Sequence, residues 1–471
     1  MSDSRKLALN YILLSGGEAI SKALAFVGFA YLARLLGPDT YGNVEFALAV
    51  TLFFNLIVEG GLGLLGTREI AKDEKSVILL TFHIVILRCA LAVAAFLGLI
   101  IFALVSKISW QQKHLVFLYG LTLFGTPGQL QWVFQGFDKM HWIALASVLR
   151  WVLFAGGVFL CVFEPNQASL VPLIELAAIA CVVIFNFTVF RYYFGTFDQR
   201  FDRSLAFDLL RQTAPIGLTQ VMWGLKVYLP TIMLGLMVGG EAVGWFGAAH
   251  RIVIALHSFV WMYFVNLYPS ISRCTQQSPD TLQRLVGKSL QVTSWSAIFI
   301  GAIGTLLAKP LLNFVYGPQY DDAAIAFQAL IWLVAFTLMS SHYMYTLIAY
   351  SKQWLELLSA VLGALINIVL NYVLILQLGF VGAAFAVLLS EACIWILNYY
   401  FVRQHIAILP FARYLIRPVI AGLATAALFL VIPPFHFIIV GVAALIVYGL
   451  GMLILQPSII SEVRVLIARN P

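Results

Sequence analysis

Charge is what this sequence has least of. Aspartate, glutamate, lysine and arginine make up 10% of its 471 residues, against 62% hydrophobic ones, and mean hydropathy is +0.95. A water-soluble globular chain is nearer roughly 25% charged, so a soluble core cannot hold this much apolar surface. Cysteine is sparse as well. Cys89, Cys161, Cys181, Cys274 and Cys393 stand singly with no CxxC spacing, which argues against a disulfide framework or a thiolate metal site. Long polar loops are missing too. The longest, around residues 195–207 ("GTFDQRFDRSLAF"), is too short to fold as a soluble catalytic domain. No acid–base or metal constellation is present, so no catalytic residue, metal or cofactor is expected. The net charge of +7 is spread over short loops, and nucleic acid is not an expected partner.

What is present is a succession of apolar runs about 20 residues long or longer, the length a helix needs to cross a bilayer. Only closed hydrogen-bonding patterns survive in lipid, so the expected class is an all-α polytopic membrane protein. Breaks at Gly, Pro and charge clusters place fourteen spans at 8–36, 42–66, 77–105, 114–134, 141–163, 168–194, 208–238, 242–270, 284–308, 322–350, 354–376, 380–404, 412–432 and 436–457. The first run is too long for a cleavable signal and lacks a small-x-small site. With a cytoplasmic N-terminus, nineteen Lys and Arg fall on the cytoplasmic side, among them Arg5, Lys6, Arg200, Arg203, Arg464 and Arg469. Four (Arg34, Lys107, Lys113, Lys309) fall on the other side. The positive-inside rule then predicts both termini in the cytoplasm.

The chain also repeats itself. "LLGPDTYGNVEFALA" (35–49) and "MVGGEAVGWFGAAHR" (237–251) align Gly37 with Gly239, Asp39 with Glu241 and Gly42 with Gly244, and the flanking spans coincide at the same offset. The turns "QGFDK" (from Gln135) and "AYSKQ" (from Ala349) each lead into a long span in the same way. The expected organisation is an N-terminal six-helix lobe (1–200), a C-terminal six-helix lobe (206–405) and two additional helices (412–457). Spans related by the offset enter from the same side. The repeats are therefore parallel, and a cavity at the pseudo-two-fold axis and rocking of the lobes are the expected transport geometry.

Several of these motifs carry a family resemblance. The stretch "YLARLLGPDTYGNVEFALAVTLFFNLIVEGGLGLLGTREIAK" (31–72) resembles the N-terminal signature of the polysaccharide-transport branch of the multidrug/oligosaccharidyl-lipid/polysaccharide exporter superfamily, the O-antigen-type flippases. An LGP-x-x-YG turn follows the first span (Leu36 to Gly42), and a G-L-x-x-x-x-TR-x-IA stretch closes the second (Gly61 to Ala71). "QGFDK" and "GFVGAAFAVLLSE" (379–391) are similar to the family as well. The resemblance implies a transporter that moves a polyprenyl-diphosphate-linked oligosaccharide from the inner to the outer leaflet of the cell's inner membrane. Membrane lipid, a polysaccharide polymerase and glycosyltransferases are the partners it implies. A cation-coupled multidrug exporter of the same superfamily, a peptidoglycan-precursor flippase of that superfamily, whose branch the signature around residues 35–71 resembles less, and a non-transporting envelope-assembly scaffold are the alternatives.

Charges inside the spans are the candidate functional residues, since each costs roughly 2.5–3.5 kcal/mol at mid-span and marks a bundle interior or water-filled cavity. The basic ones are Lys22, Arg88, Arg150, Lys226 and Arg251; the acidic ones are Glu18, Glu45, Glu59, Glu175 and Glu391. Lys22, Lys226, Arg251 and Arg150 are the candidate cations for an anionic headgroup, because Lys and Arg grip phosphate oxygens strongly. Glu18 precedes Lys22 by four residues, the favourable order for a helical ion pair, and either competes with phosphate or neutralises a structural charge. Lys226 has no acid within a turn along the sequence, and Pro230 is expected to open its helix. His250, His257 and Trp261 recur on one stripe beside Arg251. Glu391 and Glu175 are candidate ion-responsive carboxylates, and Arg88 is expected to snorkel towards the cytoplasm. Asn367 and Asn371 form an amide pair of the kind that holds helices together.

Overall fold

The structure is a computed structural model that describes residues 3–197, 199–276, 279–431 and 437–457, with side chains from Ser15 onward except at 279, 428, 430, 431, 437 and 438. The side chains of Arg5 and Lys6, and Arg464 and Arg469 altogether, lie outside the described residues. Helices α1 (Asp3–Glu59), α2 (Leu62–Lys72), α3 (Val77–Val105), α4 (Trp110–Gly120), α5 (Gln131–Gly136), α6 (Met140–Cys161), α7 (Leu170–Phe194) and α8 (Arg203–Met237) come first. They are followed by α9 (Gly240–Cys274), α10 (Pro279–Leu306), α11 (Ala308–Tyr316), α12 (Ala323–Ala349), α13 (Gln353–His405), α14 (Ala412–Val431) and α15 (Phe437–Leu455). No strand occurs among the described residues. Eight helical stretches among them are long and apolar enough to cross a membrane. Two of those, 58 and 53 residues long, are too long for one crossing. The protein is an all-α polytopic membrane protein.

Glycine explains the two double lengths. In α1, Gly37 has φ 73° and breaks the helix into 3–36 and 38–59. Pro38 then opens the second half, where its missing N–H costs nothing. In α13, Gly379 (φ 59°) separates 353–378 from 380–405. Acidic caps start other elements: Asp202 accepts from the backbone N–H of Ser204 (2.8 Å) and Leu205 (3.4 Å) at the head of α8, filling donors that the first turn leaves open.

Two spans and one proline depart from the sequence expectation. The span expected at 42–66 ends at Glu59, because Gly60 and Gly61 both take positive φ (51° and 75°) and α2 starts afresh. The span expected at 114–134 is not one α-helix. After α4 it tightens into a 3-10 segment, Leu121–Gly128, that contains Pro127, and only then resumes as the short α5. Proline lacks the N–H an α-helix needs there, and the freed backbone is tolerated because it is packed inside protein. Asn186 on α7 donates to the Gly128 carbonyl (3.3 Å), and Thr126 donates to Asn55 (2.6 Å). Pro230 does not open α8, which runs unbroken from Arg203 to Met237 with Pro215 and Pro230 inside it.

The chain divides into two compact units, Met1–Gly244 and Trp245–Pro471. Within the first unit, α8 runs along the second half of α1 on a seam of glycines. Gly217 faces the Gly60 backbone, Gly224 faces Leu56, and Gly235 faces the Phe46 ring. At one end of this seam the two repeated turns meet: a Cβ on Gly42 would fall on the Gly240 carbonyl, and one on Gly244 on the Pro38 carbonyl. Gly42→Ala therefore forces backbone apart and is expected to lower the thermal midpoint of the purified protein, at a cost of about 1–3 kcal/mol. Gly156→Ala, where a Cβ meets nothing within 4 Å, is expected to leave it unchanged or slightly raised. Equal behaviour of the two variants in a thermal-shift series contradicts the close-packed seam.

Within the second unit, α14 and α15 lie on α10. Tyr448 donates to the Trp295 carbonyl (2.9 Å), Trp295 Nε1 donates to Gln456 (2.9 Å), and Ser294 donates to the Tyr414 carbonyl (3.0 Å). The α13 hairpin is tied by amides: Asn371 donates to Asn367 Oδ1 (3.1 Å), and Asn367 donates to Ser390 Oγ (2.9 Å).

Candidate functional site

In the first unit, Gly17 and Gly28 of α1 lie against Ala144 and Ala155 of α6. The equal spacing of the two contacts means the helices run parallel and in register, so Lys22 is level with residues 149–150. The candidate cations Lys22 and Arg150 therefore share a depth. Each is held by a carboxylate. Lys22 Nζ is 3.3 Å from Glu18 Oε2, with side chains 48% and 51% exposed. Arg150 Nη2 is 2.8 Å from Glu175 Oε1, with side chains 27% and 6% exposed. The Glu175 pair is the drier one, and its Oε2 has no hydrogen-bond partner among the described residues. The Arg150 guanidinium also lies 5.2 Å from the Trp151 ring, which packs edge-on against Phe29 and Phe154.

Lys226 is half-buried on α8, on the face opposite the glycine seam. Counting from Gly239, where the repeated turn ends α8, it lies roughly 20 Å in along the helix at 1.5 Å per residue. Lys22 lies roughly 22 Å in from Gly37 on the same count. Both depths are well inside a hydrocarbon layer of about 30 Å.

Arg88 does not snorkel. It is 1% exposed and held by Glu59 Oε2 at 2.5 Å, because the Gly60–Gly61 break stops α1 where Glu59 reaches α3. Glu45 is also engaged, accepting from the Tyr41 hydroxyl one turn earlier.

In the second unit, Arg251 and His250 are half-buried on α9, and the His250 ring lies 5.3 Å from that of Phe246. His257 Nε2 is 3.1 Å from Thr337 Oγ1, whose hydroxyl points to Glu391 Oε1 at 3.5 Å. Glu391 is 5% exposed. One hydroxyl thus links a histidine on α9 to a buried carboxylate on α13, which sequence spacing alone did not suggest. Trp261, expected on the His257 stripe, is 64% exposed.

The chain has known relatives. The model of the family described as "Polysaccharide biosynthesis protein" matches residues 7–275. The chain belongs to that family. A member from Escherichia coli (strain K12), named a putative O-antigen transporter, is 27% identical over 419 residues, covering 86% of this chain and 99% of its own. A putative O-antigen transporter of Shigella dysenteriae is 21% identical over 401 residues, covering 82% and 97%. Among solved structures, a lipid II flippase, MurJ, in an inward closed conformation superposes with a TM-score of 0.79 over 95% of this chain and all of that one, at 14% identity. An inward-facing multidrug resistance transporter of the MATE family follows at 0.69, with 15% identity and 84% and 98% coverage. At these identities the structural likeness speaks for the fold alone.

Proposed function

We propose that this protein is a transporter, not an enzyme, and that it moves a polyprenyl-diphosphate-linked oligosaccharide from the inner to the outer leaflet of the inner membrane, with both termini in the cytoplasm. The observation that carries this reading is the half-exposed Lys22–Glu18 pair at the level of Arg150. A lysine and a glutamate each about half open to their surroundings at that depth do not sit against acyl chains, so the space beside them is wet. The names of its relatives support a lipid-linked sugar as the cargo. A diphosphate cannot enter hydrocarbon unaided, whereas a polyprenyl tail already belongs there. Sheltering the headgroup and sugars while the tail stays in lipid is then sufficient for translocation. In this reading Lys22, Lys226, Arg150 and Arg251 receive the headgroup. Glu18, Glu175, Glu391, His250 and His257 balance or couple their charge. The six-helix lobes 1–200 and 206–405 alternate access, helices 412–457 accompany the second lobe, and glycosyltransferases act upstream and a polymerase downstream.

Reconstitution tests the proposal directly. Proteoliposomes carrying undecaprenyl-diphosphate-linked oligosaccharide in both leaflets expose about half of the sugar to an added impermeant oxidant such as periodate. With active protein the oxidised fraction is expected to rise towards completion, and in protein-free vesicles to stay near half. No rise, together with uptake of a cationic dye by the same vesicles, favours the multidrug-exporter reading instead.

A further inference from the structure

We propose that Trp223 is the platform on which the first sugar of the cargo stacks while Lys226 holds the adjoining phosphate; this rests on the headgroup reading above. Helix α8 divides cleanly into two faces. Gly217, Gln220, Gly224 and Gly235 form the seam on α1, with Gln220 Oε1 accepting from the Gly61 N–H at 3.1 Å. Thr219, Trp223 and Lys226 follow one another at spacings of four and three on the opposite face. Lys226 is half-buried, and the part of its charged side chain left open at this depth faces polar space and not acyl chains. The indole shares the stripe and therefore the same space.

Trp223 is 56% exposed, so its face is available, and its orientation is set by an edge-on contact with Tyr228 (centroids 6.2 Å apart, planes at 90°). An indole offers a broad rigid apolar face at little cost in rotamer entropy, the surface that the C–H face of a pyranose covers. Trp151, next to Arg150, is instead half-buried against Phe29 and Phe154, with the Arg150 guanidinium 5.2 Å from its ring.

The spacing also fits the ligand. Trp223 lies about 4.5 Å nearer the cytoplasmic start of α8 than Lys226, at 1.5 Å per residue. That is close to the separation between a glycosyl phosphate and the centre of the sugar ring it carries. In the proposed reading the sugars arrive on the cytoplasmic side of the phosphates, which is where Trp223 stands. A tryptophan that only anchors the helix in the lipid interface would have no influence on whether a sugar is attached.

The test is binding to purified protein in lipid nanodiscs, with two probes: undecaprenyl diphosphate, and undecaprenyl diphosphate carrying one N-acetylglucosamine. The unmodified protein is expected to bind the glycosylated probe about tenfold or more tightly than the bare one, a gain in line with roughly 1–3 kcal/mol of ring stacking. Trp223→Ala is expected to erase that difference and keep bare-probe affinity, which also reports that the variant is folded. Trp223→Phe is expected to retain part of it. A sugar-dependent gain that survives in Trp223→Ala, or that is missing from the unmodified protein, overturns the platform. Failure of the unmodified protein to bind either probe overturns the headgroup reading instead.

Discussion

Replacing Glu59 with alanine is expected to abolish most of the folded protein. Glu59 is the ion-pair partner of Arg88, at 2.5 Å, and the Arg88 side chain is 1% exposed. Its Nε and Nη1 have no hydrogen-bond partner among the described residues. The guanidinium is walled in so closely that its Nη2 comes within 2.8 Å of where a Cβ on Gly63 would lie. Removing the carboxylate leaves a buried charge without its counterion, a loss of roughly 3–5 kcal/mol against a total stability of about 5–15 kcal/mol. The reverse change is expected to be milder. Arg88→Met fills the space with an apolar chain of similar length, and the carboxylate it strands is 32% exposed and can draw on water. The double variant Glu59→Leu/Arg88→Met removes both charges and is expected to recover much of the yield, since a buried pair replaced by well-packed apolar groups is often neutral. Gel filtration of the solubilised protein orders the variants. If Glu59→Ala is as abundant and monodisperse as the unmodified chain, the pair does not hold α1 to α3.

The same pair marks where sequence reading stops. Glu18 and Lys22 could be matched in advance because four residues on one helix bring two side chains together, and the structure pairs them at 3.3 Å. Glu59 with Arg88 and Glu175 with Arg150 are separated by 29 and 25 residues. Which helices lie side by side decides such contacts, and no local periodicity records it. The expectation that Arg88 reaches for water failed for that reason: snorkelling was the cheapest solution for one helix alone, and a second helix supplied a counterion. Element boundaries follow the same logic. Residues 77–105 were legible to the residue because α3, Thr81, His83 and Arg88 aside, is apolar between polar ends. The span at 114–134 was not, because Pro127 and Gly128 act through the backbone while the hydropathy around them hardly changes. Glycines 37 and 239 announced their turns, but their companions Gly42 and Gly244 could not announce that the two turns meet.

Lys226→Ala is expected to eliminate transport while leaving membrane levels intact, and Arg251→Ala to do the same. Both residues are half-buried, so truncation does not open a fully enclosed cavity of the Arg88 kind. The expected loss is therefore functional. A charge-assisted hydrogen bond to a phosphate oxygen is worth roughly 1.5–3 kcal/mol, so losing one weakens headgroup binding about 10- to 150-fold. Lys226→Arg keeps the cation and is expected to keep partial activity, whereas Lys226→Ala has no such rescue. Lys22 separates two roles within the same experiment. If its pair with Glu18 serves only to neutralise two groups, the double variant Glu18→Ala/Lys22→Ala transports normally. If Lys22 meets the headgroup, Lys22→Ala is inactive, and Glu18→Gln binds bare undecaprenyl diphosphate more tightly, because a competing carboxylate has gone. That gain is small, about two- to fivefold, since a pair this exposed is worth only roughly 0.2–1 kcal/mol. Raising salt should shrink it further, as screening weakens the competition that the substitution removes. Full activity in Lys22→Ala, Lys226→Ala and Arg251→Ala together would leave the diphosphate without a cation to hold it at this depth, and the headgroup would have to cross by some other route.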